Sequence, residues 1–374
     1  TMPAPVPRMT YKRWLKSRLP YTDRVAMQYQ APSWLPGGHA QTIWPALFAR
    51  RHQGLPLKFR RERWTTPDAD FIDVDWLETP AWMSHDMFTK RQPEFQESRF
   101  GEGIGGRGSM APLLVLFHGL EGSSQSHYAQ AFAAVARQRG WAFAIPHFRG
   151  CSGELNLAPR AYHSGDFEEI GWMLARFKEL HDGPVLAAGV SLGGNALLRW
   201  AEEHGQSAAA TARAVCSICS PVDLAASGRA IGQGFSRQVY TRMFLRTMVP
   251  KALRKLKQHP GLFDAERLLR ARDLYEFDNV FTAPLHGFRN TEDYWQRASS
   301  KPHLARIRIP ALVLNARNDP FVPAACLPRE HETGPYVTLW QPEHGGHVGF
   351  AAGPLPGHVM SMPQQVCDWL SQAL

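Results

Sequence analysis

The chain has 374 residues with 44% hydrophobic content, enough for one large α/β domain with an insertion or for two ordinary domains. Its 29 prolines and 31 glycines are dispersed and no unit recurs at a fixed spacing, which excludes low-complexity and repeat architectures. The formal charge of +9 suits an anionic surface, but the basic runs Lys12 to Arg18 and Lys58 to Arg63 lack interleaved aromatic platforms, so nucleic acid is not an expected partner.

The chain opens on basic residues without the apolar core of a signal peptide, and no later stretch is long enough to span a bilayer. Residues 1–55 read as an extension packed on the core, with turns at Pro32, Pro36, Gly37 and Gly38. Tyr11, Trp14 and Leu15 among basic residues suggest a short amphipathic helix that packs on the domain or makes peripheral contact with a membrane. Phe71, Ile72, Val74 and Trp76 mark a strand paired with residues 57–64.

From there strands and helices alternate. Residues 112–117 form an apolar run of strand length, followed by a helix from about Ser124 to Gln138 and a strand over 141–146. A helix over 166–180 carries Ile170, Met173, Leu174 and Phe177 at helical spacing. A strand over 184–190 runs into a helix over 192–204 with one residue between them, and residues 212–219 give the next strand. This alternation predicts a mostly parallel sheet with helices on both faces. The core is expected over 56–221 and 303–374. Residues 222–302 read as a mainly helical cap, with helices around 238–249 and 264–275. Strands over 309–314 and 336–340 and a helix over 363–370 complete the chain.

Gly189-Val190-Ser191-Leu192-Gly193 matches G-x-S-x-G and stands between an apolar strand and a helix, the context in which that string presents a nucleophilic serine. The sharp turn needs small flanking residues, and Gly194 adds room for the helix to approach. A serine hydroxyl needs a base to take its proton during attack, and in this fold the acid and then the histidine follow in chain order. Asp319, just beyond the strand over 309–314, is the expected acid, with Asp223 as its rival. His347, after the glycines of Glu343-His344-Gly345-Gly346, is the expected base, with His344 as its rival. The backbone N–H groups of Leu192 and of Leu120, in His118-Gly119-Leu120, are the expected oxyanion donors. His118 is expected to position that loop, and Arg149 to brace its own glycine-rich loop.

The remaining signals carry less. Gly101, Gly103 and Gly106 have the spacing of a dinucleotide fingerprint without the strand and helix it requires. Glu343, His344 and His347 make a poor metal set, so neither metal nor cofactor is expected. Five cysteines form no dense disulfide framework and favour reduced thiols and a cytoplasmic location, and Cys216 and Cys219 fall in a buried strand rather than a redox turn.

Read together, Gly38-His39-Ala40-Gln41-Thr42, Asp73-Val74-Asp75-Trp76, His118-Gly119-Leu120-Glu121-Gly122, Arg149-Gly150-Cys151-Ser152-Gly153 and Gly345-Gly346-His347 resemble the YheT-like branch of the α/β-hydrolase superfamily over about residues 30–370. The eukaryotic relatives of that branch include membrane-associated lipid hydrolases. The resemblance implies esterase activity and carries the three catalytic roles onto Ser191, Asp319 and His347. Ala69 stands in a turn where such relatives often have glycine. The missing long N-terminal apolar segment favours a soluble bacterial-type enzyme. The expected activity is hydrolysis of carboxylic esters of short or medium acyl chain, or of lipid-like esters, through an acyl-enzyme. A thioesterase, amidase or acyltransferase on the same scaffold, or a noncatalytic binder, is the alternative. Phe235, Tyr240, Met243, Phe244 and Leu245 are expected to give a partly apolar entrance or to pack internally.

Overall fold

Strands covered on both faces must be apolar throughout. Leu113–Phe117 (β3), Val185–Val190 (β5), Ala214–Ile218 (β6) and Ala311–Leu314 (β7) meet that condition, with every residue buried. The computed structural model describes residues 27–52, 54–78 and 111–374, so Tyr11, Trp14, Leu15, the run Lys12 to Arg18 and the glycines at 101, 103 and 106 lie outside the described residues. With Phe59–Thr65 (β1), Phe71–Leu77 (β2), Ala142–Pro146 (β4) and Val337–Trp340 (β8), these strands form one sheet of order β1-β2-β4-β3-β5-β6-β7-β8. Strand β2 runs against both its neighbours, while β3 to β8 are mutually parallel.

The period of two along each strand divides the core between the two faces of the sheet. On one face Leu114 and Leu116 pack with Phe132 of α2 (His127–Gln138) and Trp369 of α10 (Ser361–Ser371). On the other, Leu113, Val115 and Phe117 pack with Met173 and Phe177 of α3 (Phe167–Leu180) and Trp200 of α4 (Leu192–His204). The basic run before β2 is partly committed to β2 itself: Arg61 and Arg63 make paired bonds to Asp75 and Asp73.

A helical insertion separates β6 from β7. It holds α5 (Leu224–Ile231), α6 (Arg242–Gln258), α7 (Ala265–Arg270), α8 (Leu274–Val280) and α9 (Thr291–Ala298). The single helix expected over 264–275 is two helices. Asp264 caps the first by accepting from the Glu266 and Arg267 N–H groups, and Asp273 restarts the chain by accepting from Glu276 N–H. Helix α9 was not expected, and its start is fixed by Asn290 accepting the Asp293 N–H.

A further unexpected helix is α1 (Gly38–Leu47), in a segment read only as turns. Pro45 inside it and Gly38 at its first position both argue against a helix locally. Its stability must come from tertiary contacts, which lie at the site described next.

Candidate active site

The glycines around the turn between β5 and α4 leave no room for a side chain. A Cβ at Gly189 would stand 2.5 Å from the Gly193 carbonyl oxygen, one at Gly193 would stand 2.5 Å from the His118 carbonyl oxygen, and one at Gly194 would stand 2.1 Å from Ser220 Oγ. Helix α4 thereby starts in direct backbone contact with the carboxyl ends of its neighbours. Ser191, with φ 52° and ψ −118°, takes the strained turn between them. Its N–H donates to the Ile218 carbonyl at 2.8 Å.

The loops after β7 and β8 bring two residues to this serine. His347 Nε2 lies 3.0 Å from Ser191 Oγ, and His347 Nδ1 lies 2.8 Å from Asp319 Oδ2. The other Asp319 oxygen accepts the N–H groups of Phe321 at 2.7 Å and Val322 at 3.3 Å. Asp319 is buried, and the Phe321 ring lies over the imidazole with centroids 4.0 Å apart. Asp223 is elsewhere: it caps α5, accepting the Ala226 N–H at 2.9 Å. His344 is exposed, and its Nδ1 stands 3.4 Å from the Asn318 amide nitrogen.

The loop after β3 lies against the serine, since a Cβ at Gly119 would be 3.2 Å from Ser191 Cβ. Gly119 N–H donates to Tyr128 Oη at 2.9 Å and Glu121 N–H to Tyr162 Oη at 3.0 Å. Among the described residues, the Leu120 N–H between them has no protein acceptor. Leu192 is the first residue of α4, where no preceding turn supplies an acceptor to its N–H.

His118 is fully buried and accepts the Phe148 N–H on Nε2 at 3.0 Å, so its proton sits on Nδ1 and is donated to the Gly119 carbonyl at 2.7 Å. Burial drives its pKa down to about 3 and keeps the ring neutral. Arg149 is spent on Asp68, Asp70 and Glu169, which fixes its loop to the β1–β2 turn and to α3.

Sequence reading did not find three further groups. Gln41 and Thr42 of α1 bond to the loop that carries His347. Glu121, beside Leu120, accepts from Tyr162 Oη at 2.7 Å and from Lys251 Nζ of α6 at 2.7 Å. The motifs that hold Gln41, Thr42 and Glu121 were visible in the sequence, but their partners lie far along the chain.

Ser191, Leu120, Leu192 and His347 open onto a cavity roofed by the helical insertion. Its walls include Ile231, Phe244, Met248, Phe277, Phe281 and Trp295. The expected entrance residues divide. Phe244 lines this cavity, Leu245 packs inside the insertion, Tyr240 is buried against Phe321, and Phe235 and Met243 are more than half exposed. No described helix is long and apolar enough to cross a membrane.

Residues 112–354 match the family described as the alpha/beta hydrolase fold. The chain is 37% identical to YheT of Escherichia coli over 90% of its own length and 91% of that protein. It is 26% identical to the mouse phospholipase ABHD3 over 93% of its length and 78% of that protein. To the monoacylglycerol lipase of Saccharomyces cerevisiae it is 28% identical over 64% of its length and 55% of that protein. A sheet in which one strand near its edge opposes the rest, a serine turned out between β5 and α4, and a likeness to YheT over nearly the whole of both chains agree: the chain belongs to the α/β-hydrolase family, as a serine-type ester hydrolase of the YheT branch.

Proposed function

We propose that Ser191 is the nucleophile, His347 the base and Asp319 the acid of a carboxylesterase that takes an apolar acyl chain into the cavity under the helical insertion. The observation that carries this reading is the unbroken chain of contacts, 3.0 Å from Ser191 Oγ to His347 Nε2 and 2.8 Å from His347 Nδ1 to Asp319. Ser191 Oγ attacks the ester carbonyl carbon as its proton passes to His347 Nε2. The Leu120 and Leu192 N–H groups receive the oxyanion. The C–O bond of the ester then breaks, the alcohol leaves with the proton from His347, and the acyl group stays on Ser191. Water attacks that acyl group, gives a proton to His347 and releases the acid, after which the proton returns to Ser191. Asp319 holds the imidazole tautomer and supports the imidazolium.

Residues 222–302 act in this reading as the cover of the acyl site. The apolar cavity wall supports lipid-like or medium-chain acyl esters, and two relatives named as a phospholipase and a monoacylglycerol lipase point the same way. The test combines an ester series from acetyl to decanoyl with single variants. Ser191→Ala is expected to lose about 10⁶-fold in turnover and Asp319→Asn about 10⁴-fold, as in other triads. Near-normal turnover in folded Ser191→Ala removes the nucleophile assignment, and equal efficiency along the series removes the acyl-chain selection.

A further inference from the structure

Helix α1 lies across the two loops that hold His347 and Asp319, and it meets them through polar groups. Thr42 Oγ1 donates to the Gly38 carbonyl at 2.7 Å and accepts the backbone N–H of His347 itself at 2.8 Å. Gln41, 1% exposed, accepts on Oε1 both the Gly345 N–H and the Asn318 amide at 2.9 Å, and donates Nε2 to the Leu35 carbonyl at 2.9 Å. Asn318, next to Asp319, in turn accepts the Gly346 N–H at 3.0 Å.

The backbones are as close as the missing side chains allow. A Cβ at Gly38 would sit 1.9 Å from the Asn318 carbonyl oxygen, and one at Gly349 would sit 1.7 Å from the Gln41 carbonyl oxygen. The loop that carries His347 also holds backbone angles that favour glycine, at Gly345 and Gly346 and at the non-glycine residues Val348 and Phe350. Such a loop has little reason to keep its shape unless its N–H groups are tied down. Three consecutive ones, at 345, 346 and 347, are tied to Gln41, Asn318 and Thr42.

We infer that Gln41, Thr42 and Asn318 are positioning residues that hold the acid loop and the base loop in one frame, so that His347 Nε2 stays on Ser191 Oγ. This rests on the proposed role of His347 as the base. None of the three lines the cavity itself, so their effect is on proton transfer and not on substrate binding.

Thr42→Val keeps the shape of the side chain and removes the acceptor for the His347 N–H, whereas Thr42→Ser keeps it. Thr42→Val is expected to lower kcat by about 10- to 100-fold with KM near its wild-type value, the scale of loss expected from a base displaced by about an ångström. Thr42→Ser should restore most of kcat. The rate at which a fluorophosphonate labels Ser191 should fall and recover in parallel. Asn318→Ala, at a half-buried position, should give the same kcat signature and decides the matter if Thr42→Val does not fold. Unchanged kcat in the folded variants, a loss that falls on KM, or a failure of Thr42→Ser to recover overturns the positioning role. Failure of the wild-type protein to label at all instead overturns the serine mechanism beneath it.

Discussion

The two sides of Ser191 are held by different chemistry. On the base side, α1 fixes the loop of His347 through Gln41, Thr42 and Asn318, all neutral, acting on backbone N–H groups. On the oxyanion side, the loop of Leu120 is fixed by ionisable groups drawn from three places: Tyr128 of α2, Tyr162 of the segment before α3, and Lys251 of the insertion through Glu121. Glu121 itself sits at φ 55°, a conformation that costs a non-glycine residue about 1–2 kcal/mol and needs outside support. Gln41, Thr42 and Asn318 thus brace the loop of His347, the proposed base, without an ion pair, while the loop of Leu120, the proposed oxyanion donor, leans on a charge carried by the insertion.

A double-mutant cycle breaks or sharpens this contrast with the largest expected effect. Lys251→Met removes the ammonium from Glu121, and a weakening of the oxyanion contact by about 1.4 kcal/mol corresponds to about a tenfold loss in kcat. Glu121→Gln in the Lys251→Met background should add little, because the two residues act as one pair. Thr42→Val in that background should multiply the loss, because it acts on the other side. Multiplicative losses for Lys251 with Glu121 would show that they do not act as one pair, and no additional loss for Lys251 with Thr42 would show that the two sides are not separate devices.

The side of Leu120 also carries a dependence on pH through His118. His118 has its pKa lowered from 6.5 to about 3 by burial, so between those values the unfolded chain binds a proton that the folded chain does not. Its contribution to stability is complete above 6.5 and is lost as pH falls, by about 1.4 kcal/mol per pH unit for one histidine. Gln41, Thr42 and Asn318 contain no group that titrates there, whereas His127, whose Nε2 lies 3.1 Å from the Val348 carbonyl of the His347 loop, has its pKa lowered to about 4 by burial. Thermal unfolding from pH 7 to pH 5 should show a decline that becomes shallower in His118→Gln, while Thr42→Val should keep the wild-type slope. Equal slopes in wild type and His118→Gln would remove the contribution assigned to His118.

What the sequence revealed follows the same division between local and distant determinants. The strands β3, β5, β6 and β7 were legible because burial on both faces makes each an unbroken apolar run. Ser191, Asp319 and His347 could be expected in that order because they follow β5, β7 and β8, of which β5 and β7 are such runs and β8 is only partly buried. Helix α1 was not, since Gly38 and Pro45 speak against it and the partners of Gln41 and Thr42 come 304 and 305 residues later. Lys251 lay hidden for the same reason, as a basic residue on a helix whose carboxylate partner is 130 residues away. The split of residues 264–280 into two helices turns on the capping carboxylate of Asp273, a local signal that the apolar spacing of the segment outweighed.

The smallest expected effect tests how far the oxyanion side extends. Ala69 takes φ 60° in the exposed turn between β1 and β2, where its N–H donates to the Thr66 carbonyl. Its neighbours Asp68 and Asp70 hold Arg149, next to the Phe148 whose N–H fixes His118. Ala69→Gly relieves the left-handed strain of about 1–2 kcal/mol and gives back part of it as unfolded-chain entropy, leaving a gain below about 1 kcal/mol. The melting temperature should rise by about 1–2 °C with kcat unchanged, because a turn that only lowers its own strain moves neither Asp68 nor Asp70. A change in kcat without a change in melting temperature would mean that the turn is strained against Arg149, and that the device holding Leu120 begins at the far edge of the sheet.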